Sequence, residues 1–437
     1  MQPRESHIEM HYQSATVPQD SEASNAEQKI AVALLTGGSD RPYVFGLSTE
    51  LISKGVVLDL IGSDELDSPD FHNLPGLNFF RLRGDQRSDA SFVSKVSRML
   101  KYYSRLIRYS ATAKPRIFHI LWNNKFETID RTLLMLYYKS LGRRIVLTAH
   151  NVNAAKRDST DTLLNRLTLR MQYLLTDRIF VHTEKAKLEL NQDFGVPDAR
   201  ITVIPFGINN SVPNTCLTPS EAKQHLGIGD RERAILFFGR ITPYKGLEYL
   251  FQAFRQLLGQ RDDYRLIIAG RPDRCESYWR RIREELAEYV RRGQVLLRSE
   301  FIPDDQTEVY FKAADVLVLP YRHIYQSGVL FLAHSFGLPV LAADVGSLKD
   351  EIVEGKTGFI FRPEDPIDLA RVLERYFASD LFADLNSQRQ KIRDYATQRH
   401  SWDVVGQITM NKYAELLRTY ARGGWTDRDA SSVNPSE

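Results

Sequence analysis

Two cations, Arg240 and Lys245, stand in the run Gly239-Arg-Ile-Thr-Pro-Tyr-Lys-Gly246. A phosphate or diphosphate is the partner this pair suits, because cations beside a helix N-terminus act in the same direction as the helix dipole. Gln326-Ser327-Gly328, followed by Val329, lies where a second helix should start, and free N–H groups there suit another phosphate or sugar oxygen. His150 ends an apolar run and opens a polar loop, a place from which a neutral imidazole can hydrogen-bond a sugar hydroxyl or steady a developing charge. Gly37 and Gly38 follow the first apolar run and would let backbone approach a ligand, although a tight turn needs glycine in any case. His119, flanked by Phe118 and Ile120, reads as a core residue. Taken singly, each cation could equally be a solvated loop side chain.

The elements around these residues give them a common setting. Ile235–Phe238 is a continuous apolar run that Gly239 ends, and Leu247, Leu250, Phe251 and Phe254 then follow helical spacing. Arg240 and Lys245 therefore occupy a strand-to-helix loop, at the carboxyl end of a strand, where open α/β sheets bind ligands. The same rhythm fills the rest of the chain. Ile30–Leu35 and Gly55–Ile61 read as strands, with a helix opening near Pro42 between them. Further strands are expected at 116–122, 144–150, 178–183 and 201–208. Residues 209–219 are polar with two prolines and make the clearest boundary, after which strands recur at 264–270, 294–297, 315–320 and 339–343. The expected fold is α/β: two doubly wound Rossmann-like domains, 29–210 and 211–395, facing across a cleft. A last helix, 396–424, is expected to cross back to the first domain, and the polar ends 1–28 and 425–437 are expected to be disordered.

Composition removes several alternatives. With 43% hydrophobic and 11% aromatic residues among 437, the chain can bury sizeable cores. A net charge of +3 gives no general nucleic-acid footprint. Cys216 and Cys275 make neither a disulfide framework nor a metal motif. The start carries no basic-then-apolar leader, and no run has the length of a membrane span, so a cytoplasmic protein is expected. The segment 91–109 reads as an amphipathic helix with Phe92, Val96, Met99, Tyr103 and Leu106 on one face. Lys95, Arg98, Lys101, Arg105 and Arg108 make the remainder basic, which suits peripheral contact with anionic lipid at the inner face of the cell membrane. Gly355-Lys-Thr-Gly358 only superficially resembles a P-loop, since no strand runs into the required glycine-lysine motif.

The spacing Gly-Arg-x-x-Pro-x-Lys-Gly at 239–246 resembles the phosphate-gripping loop of retaining group 1 glycosyltransferases of the GT-B fold. Val181-His-Thr-Glu, Ile204-Pro-Phe-Gly-Ile208, Phe301-Ile-Pro-Asp-Asp305, Ala313-Ala-Asp-Val, Gly337-Leu-Pro-Val and Val345-Gly-Ser-Leu are similar to further segments of that family, in the same order. The resemblance implies a nucleotide-diphosphate-sugar donor, UDP- or GDP-linked, on the C-terminal domain and a glycan or lipid-linked acceptor on the N-terminal one. It places Arg240 and Lys245 on the donor diphosphate, the backbone at Ile302 on the base, and Gln326, Ser327 and Gly328 on sugar and phosphate oxygens. His150 matches a histidine beside the transferred sugar, and Gly37 and Gly38 match a loop facing the phosphates. Two family glutamates are replaced, by Ile324 and Leu332. No cofactor and no metal site is expected, there being no Asp-x-Asp motif in a suitable loop.

Three functions compete at this point. The first is metal-independent hexosyl transfer in surface polysaccharide synthesis. The second is a catalytically silent protein of the same fold that binds nucleotide or glycan in a regulatory role, motivated by the missing glutamates. The third, a sugar-nucleotide epimerase, is the poorest fit because its site would also call for carboxylates.

Overall fold

The computed structural model describes residues 29–37, 40–84, 91–124, 126–157, 160–208 and 212–423. The polar ends 1–28 and 425–437, Gly38 and the linker residues 209–211 lie outside the described residues.

Seven strands form the first sheet: β1 (Ala31–Leu35), β2 (Val57–Gly62), β3 (Leu77–Arg81), β4 (Ile117–Ile120), β5 (Arg144–Thr148), β6 (Arg178–Val181) and β7 (Ile201–Val203). Their order is β3-β2-β1-β4-β5-β6-β7 and every pairing is parallel. The central strands are mostly apolar, with His119 of β4 and Thr148 of β5 as buried exceptions, because helices cover both faces. Alternate residues go to opposite sides: Ala33 and Leu35 join Phe118 and Ile120 in one core, while Val32 and Leu34 join Leu58 and Leu60 in the other.

The second sheet contains β8 (Arg233–Phe238), β9 (Tyr264–Ala269), β10 (Val295–Arg298), β11 (Val316–Leu319), β12 (Val340–Ala343) and β13 (Gly358–Phe361). It repeats the plan in the order β10-β9-β8-β11-β12-β13, again wholly parallel. Ile235 and Phe237 face one core and Ala234 and Leu236 the other. The strand order reverses between β1 and β4 in the first sheet and between β8 and β11 in the second. In such sheets the crevice beyond that reversal is the ligand site.

β3 and β13 had no counterpart in the sequence reading. β3 is an edge strand whose residues are half-buried or exposed, so it lacks a continuous apolar run. β13 opens on Gly358 at φ 157°, where a Cβ would lie 1.8 Å from the Val340 carbonyl oxygen. The Gly355-Lys-Thr-Gly358 stretch is thus the turn into an edge strand.

The helix Trp402–Gly423 lies against the helix Arg41–Ser53 and puts Val405, Tyr413 and Leu416 into the core of the first sheet. Lys54 pairs with Asp403 at 2.6 Å and Arg178 with Glu415 at 3.3 Å, fixing both ends of that packing. His119 is part of the same seam. Its Nδ1 lies 2.5 Å from the Tyr413 hydroxyl and its Nε2 lies 2.7 Å from the Thr148 hydroxyl, and burial pushes its pKa down to about 3.

The basic helix is longer than the sequence suggested, Phe92–Thr112, and its inward face is rotated. Tyr102, Leu106 and Ser110 are buried, with Val96, Met99 and Tyr103 half-buried beside them. Among the described residues no helix is long and apolar enough to cross a membrane.

Candidate functional site

The loop after β8 and the loop after β11 flank the reversal of the second sheet and lie in contact. Gly246 has φ 65°, and a Cβ there would sit 2.0 Å from the Pro320 carbonyl oxygen. Only glycine permits both the left-handed backbone and this approach. The consequence is to tuck Lys245 inward, 7% exposed, with its Nζ against Gly239 and 5.4 Å from the centre of the Tyr321 ring. Among the described residues Lys245 has no carboxylate or hydrogen-bond acceptor. Burial, and then the neighbouring Arg240, push its pKa down to about 7. Arg240 is exposed and pairs with Asp273 at 3.2 Å. The two cations therefore differ: one is a solvent-facing arm with a counter-ion, the other a desolvated ammonium without one.

Opposite Lys245 the helix Gly328–Ser335 begins, with Ser327 at its N-cap position. A Cβ built on Gly328 would meet nothing within 4 Å, and Gly328 and Val329 line the same pocket as Lys245, at a helix start whose first N–H groups have no intrahelical partner. Ser327 is 4% exposed, with its hydroxyl 3.5 Å from that of Tyr321. Both amide atoms of Gln326 are buried and unpartnered among the described residues. A buried primary amide without partners is costly. Gly239, Lys245, Gly328 and Val329 line one pocket of about 290 Å³, together with Arg240. Leu332, at the second family-glutamate position, also lines this pocket; Ile324 lines a different one. The Gly346–Ser347 loop opens only a short 3-10 turn, Leu348–Glu351, and Ser347 donates both its N–H and its hydroxyl to the Tyr325 carbonyl. That loop braces the Gln326 segment. Ile302 is placed in the loop after β10, with its side chain in the core beside Tyr310 and Phe311.

The N-terminal domain closes the same pocket with Asp40, Tyr43 and Gly207, and Trp402 of the returning helix completes the wall. Asp40 caps the helix Arg41–Ser53 by accepting from the Tyr43 N–H at 3.2 Å, and its carboxylate feels the charge of Arg240. Sequence reasoning missed Asp40, Tyr43 and Trp402. The Asp40-Arg-Pro42 helix start was visible as a signal, but nothing local showed that it faces the other domain.

His150 lies behind this wall. It stacks on Trp122 with centroids 4.3 Å apart and planes 4° apart, and Tyr43 meets it edge-on at 4.7 Å. Its Nδ1 is 3.0 Å from His182 Nε2, while its Nε2 is buried and unpartnered. Desolvation first, then His182 and His119, hold its pKa well below the usual histidine range, so the ring is neutral. Gly37 is turned toward Trp122 and Asn123: a Cβ would lie 2.1 Å from the Trp122 carbonyl oxygen. A larger cavity of about 730 Å³ opens between the helix Glu184–Phe194 and the loops carrying Ile324, Tyr325 and Gly346. There the Tyr325 hydroxyl donates to Glu189 at 3.0 Å, bridging the domains. Among the described residues no cluster of three or more His, Cys, Asp or Glu side chains is arranged to hold a metal ion.

Comparison with known proteins bears on the family and the fold. Residues 220–399 match a family model described as glycosyl transferases group 1, and residues 37–212 match one described as glycosyltransferase family 4. An uncharacterized glycosyltransferase of Methanocaldococcus jannaschii is 26% identical over 388 residues, covering 86% of this chain and 94% of that relative. A D-inositol 3-phosphate glycosyltransferase of Corynebacterium urealyticum is 27% identical over 265 residues, 59% of this chain and 61% of that relative, so the chain spans less than two thirds of it. Sucrose-phosphate synthase from Thermosynechococcus elongatus has the same fold, with a TM-score of 0.71 at 19% identity over 90% of this chain and 100% of that one. HepE of Anabaena, solved in complex with UDP-glucose, gives 0.67 at 15% identity over 89% and 100%. The two family models meet at the junction between the two sheets and between them span most of the chain, which belongs to the group 1 glycosyltransferases of the GT-B fold.

Proposed function

We propose that this glycosyltransferase moves a hexose from a UDP- or GDP-sugar to a glycan or lipid-linked acceptor, with retention at the anomeric carbon and without a metal ion, in surface polysaccharide synthesis. The observation that carries the donor reading is Lys245, a buried ammonium lacking a counter-ion among the described residues, beside an open helix start at Gly328. As the bond from the anomeric carbon to the diphosphate breaks, negative charge grows on the departing oxygen. Lys245, the N–H groups at Gly328 and the exposed arm of Arg240 meet that charge, and they do so more strongly in the transition state than before it. Gln326 offers its unpartnered amide to the sugar, in the part of the site where the family glutamates are replaced. The larger cavity beside Tyr325 offers room for an acceptor next to that sugar. The complex of HepE with UDP-glucose supports a nucleotide-sugar donor for a chain of this fold.

Incubation with a panel of UDP- and GDP-sugars, read by donor hydrolysis and by thermal shift, tests the reading. One nucleotide-sugar should raise the unfolding temperature by mass action and be consumed. A panel without any shift or hydrolysis overturns it. Leu332 in the pocket wall favours one second reading, a silent nucleotide-binding protein. That reading requires the shift without turnover.

A further inference from the structure

Three helices cover one face of the first sheet: Phe92–Thr112, the helical stretch from Glu127 to Ser140, and Leu163–Leu175. They are neighbours. Tyr103 on the first donates to Asp130 on the second at 2.7 Å, and Arg131 on the second donates to Asn165 on the third at 2.8 Å. Each also carries apolar side chains on the side turned away from the core. On the first helix Val93, Leu100 and Ile107 are 76%, 61% and 46% exposed, one every two turns. Phe126, Ile129, Leu133 and Leu136 form the stripe on the second, at alternating spacings of three and four. Leu163, Leu164, Leu167, Met171 and Leu174 form the stripe on the third. Among the described residues, eleven of the seventeen exposed large apolar side chains lie on these three helices, and Phe126 stands at the start of the second. Scattered apolar residues need no explanation, but a contiguous patch does.

The charges around the patch select its occupant. The first helix has five cations and no Asp or Glu, and the third has Arg166 and Arg170 and no Asp or Glu. Lys95, Lys101, Arg105 and Arg108 are exposed beside the first stripe. A second copy of the chain would bring like charges together, whereas a bilayer with anionic headgroups meets both the apolar stripes and the cations. We infer that this three-helix face docks on an anionic membrane surface, with the apolar stripes in the headgroup boundary and the cations on lipid phosphates. The second stripe starts at Phe126, just beyond the Trp122 that stacks on His150, so the docked face ends at the cleft. This deepens the acceptor reading above, on which it rests: the acceptor's carrier is a membrane lipid, delivered over that rim.

The test uses the full chain and vesicles without donor or acceptor, so its failure is separable from failure of the transferase reading. Wild type should sediment with vesicles containing an anionic phospholipid at least tenfold more than with purely zwitterionic ones, and added salt should reverse it. Two variants divide the causes: Leu100→Glu/Leu133→Glu/Leu167→Glu and Lys101→Glu/Arg105→Glu/Arg108→Glu. All six positions are at the surface, so both variants should fold, and each should lose at least tenfold in vesicle binding while keeping donor hydrolysis. No wild-type sedimentation overturns the proposal, as does unchanged binding by both variants. Concentration-dependent self-association abolished by the leucine variant, with no vesicle binding, also overturns it, in favour of a second copy.

Discussion

His182 Nε2 lies 3.0 Å from His150 Nδ1, and His182 Nδ1 lies 3.3 Å from the Ile204 carbonyl oxygen. A carbonyl only accepts, so His182 carries its proton on Nδ1. Burial pushes His182 down to about 4, so near neutral pH its Nε2 is a lone pair and must accept from His150 Nδ1–H. The neutral His150 then keeps a bare, buried Nε2 that can only accept. Nitrogen-15 spectra of histidine-labelled protein should show the Nδ1–H form for His150, and His182→Ala should release that preference. Loss of such an orienting bond is worth about 1 kcal/mol, several-fold in turnover, and the double variant with His150→Ala should cost no more than His150→Ala alone. An Nε2–H form in the wild type would sink the relay.

Lys245 makes donor binding sensitive to pH. With the pocket empty its pKa is about 7, and a bound diphosphate raises it, so binding takes up a proton. Affinity is expected to be flat below about pH 7 and to fall above it, approaching tenfold per pH unit. Calorimetry in buffers of different ionisation heat reads the proton directly. Lys245→Met should abolish the slope and cost about 2–5 kcal/mol of transition-state stabilisation, measured as kcat/KM. The same shift bears on folding. Between pH 7 and 10.5 the unfolded chain holds the extra proton, so the cost of burying Lys245 is full below pH 7 and fades as pH rises to 10.5.

His334 is fully buried, and both of its ring nitrogens lack partners among the described residues. A buried donor without an acceptor costs roughly 1–3 kcal/mol. His334→Leu is therefore expected to raise the unfolding temperature by a few degrees, with donor affinity unchanged. A lower unfolding temperature would show that the imidazole is satisfied in solution.

Trp402 fills the space above two glycines: a Cβ on Gly46 or Gly207 would lie 2.1 Å or 2.4 Å from the indole. The indole N–H donates to the Ile208 carbonyl at 2.8 Å and its ring meets Tyr43 at 5.2 Å. Gly207→Ala should push the indole out and cost about 1–3 kcal/mol by thermal unfolding. Donor affinity should weaken with it, because both residues line the pocket.

Much of the fold was legible because parallel strands buried on both faces are continuous apolar runs, as at Ile235–Phe238 and Ile145–Leu147. β3 and β13 were not, since one is exposed at an edge and the other is short and begins with glycine. The cations of the site were legible through the strand-to-helix spacing around Arg240 and Lys245. Their unequal burial was not, because it depends on Gly246 meeting the Pro320 carbonyl, a contact between loops far apart in the chain. Asp40 and Trp402 enter the pocket through the closure of one domain on the other, which no local pattern encodes. The outward leucines at 163–174 fit an ordinary helix by spacing alone, and only their exposure sets them apart.

The returning helix has a consequence for biosynthesis. Val405, Tyr413 and Leu416 are interior residues of the first domain, yet the ribosome adds them after all of the second. The amino-terminal half therefore leaves the exit tunnel with a gap in its core, beside the helix Arg41–Ser53, that only the later helix Trp402–Gly423 can fill. Domains usually mature in the order in which they are synthesised. In this chain the first domain to emerge is the last to be completed.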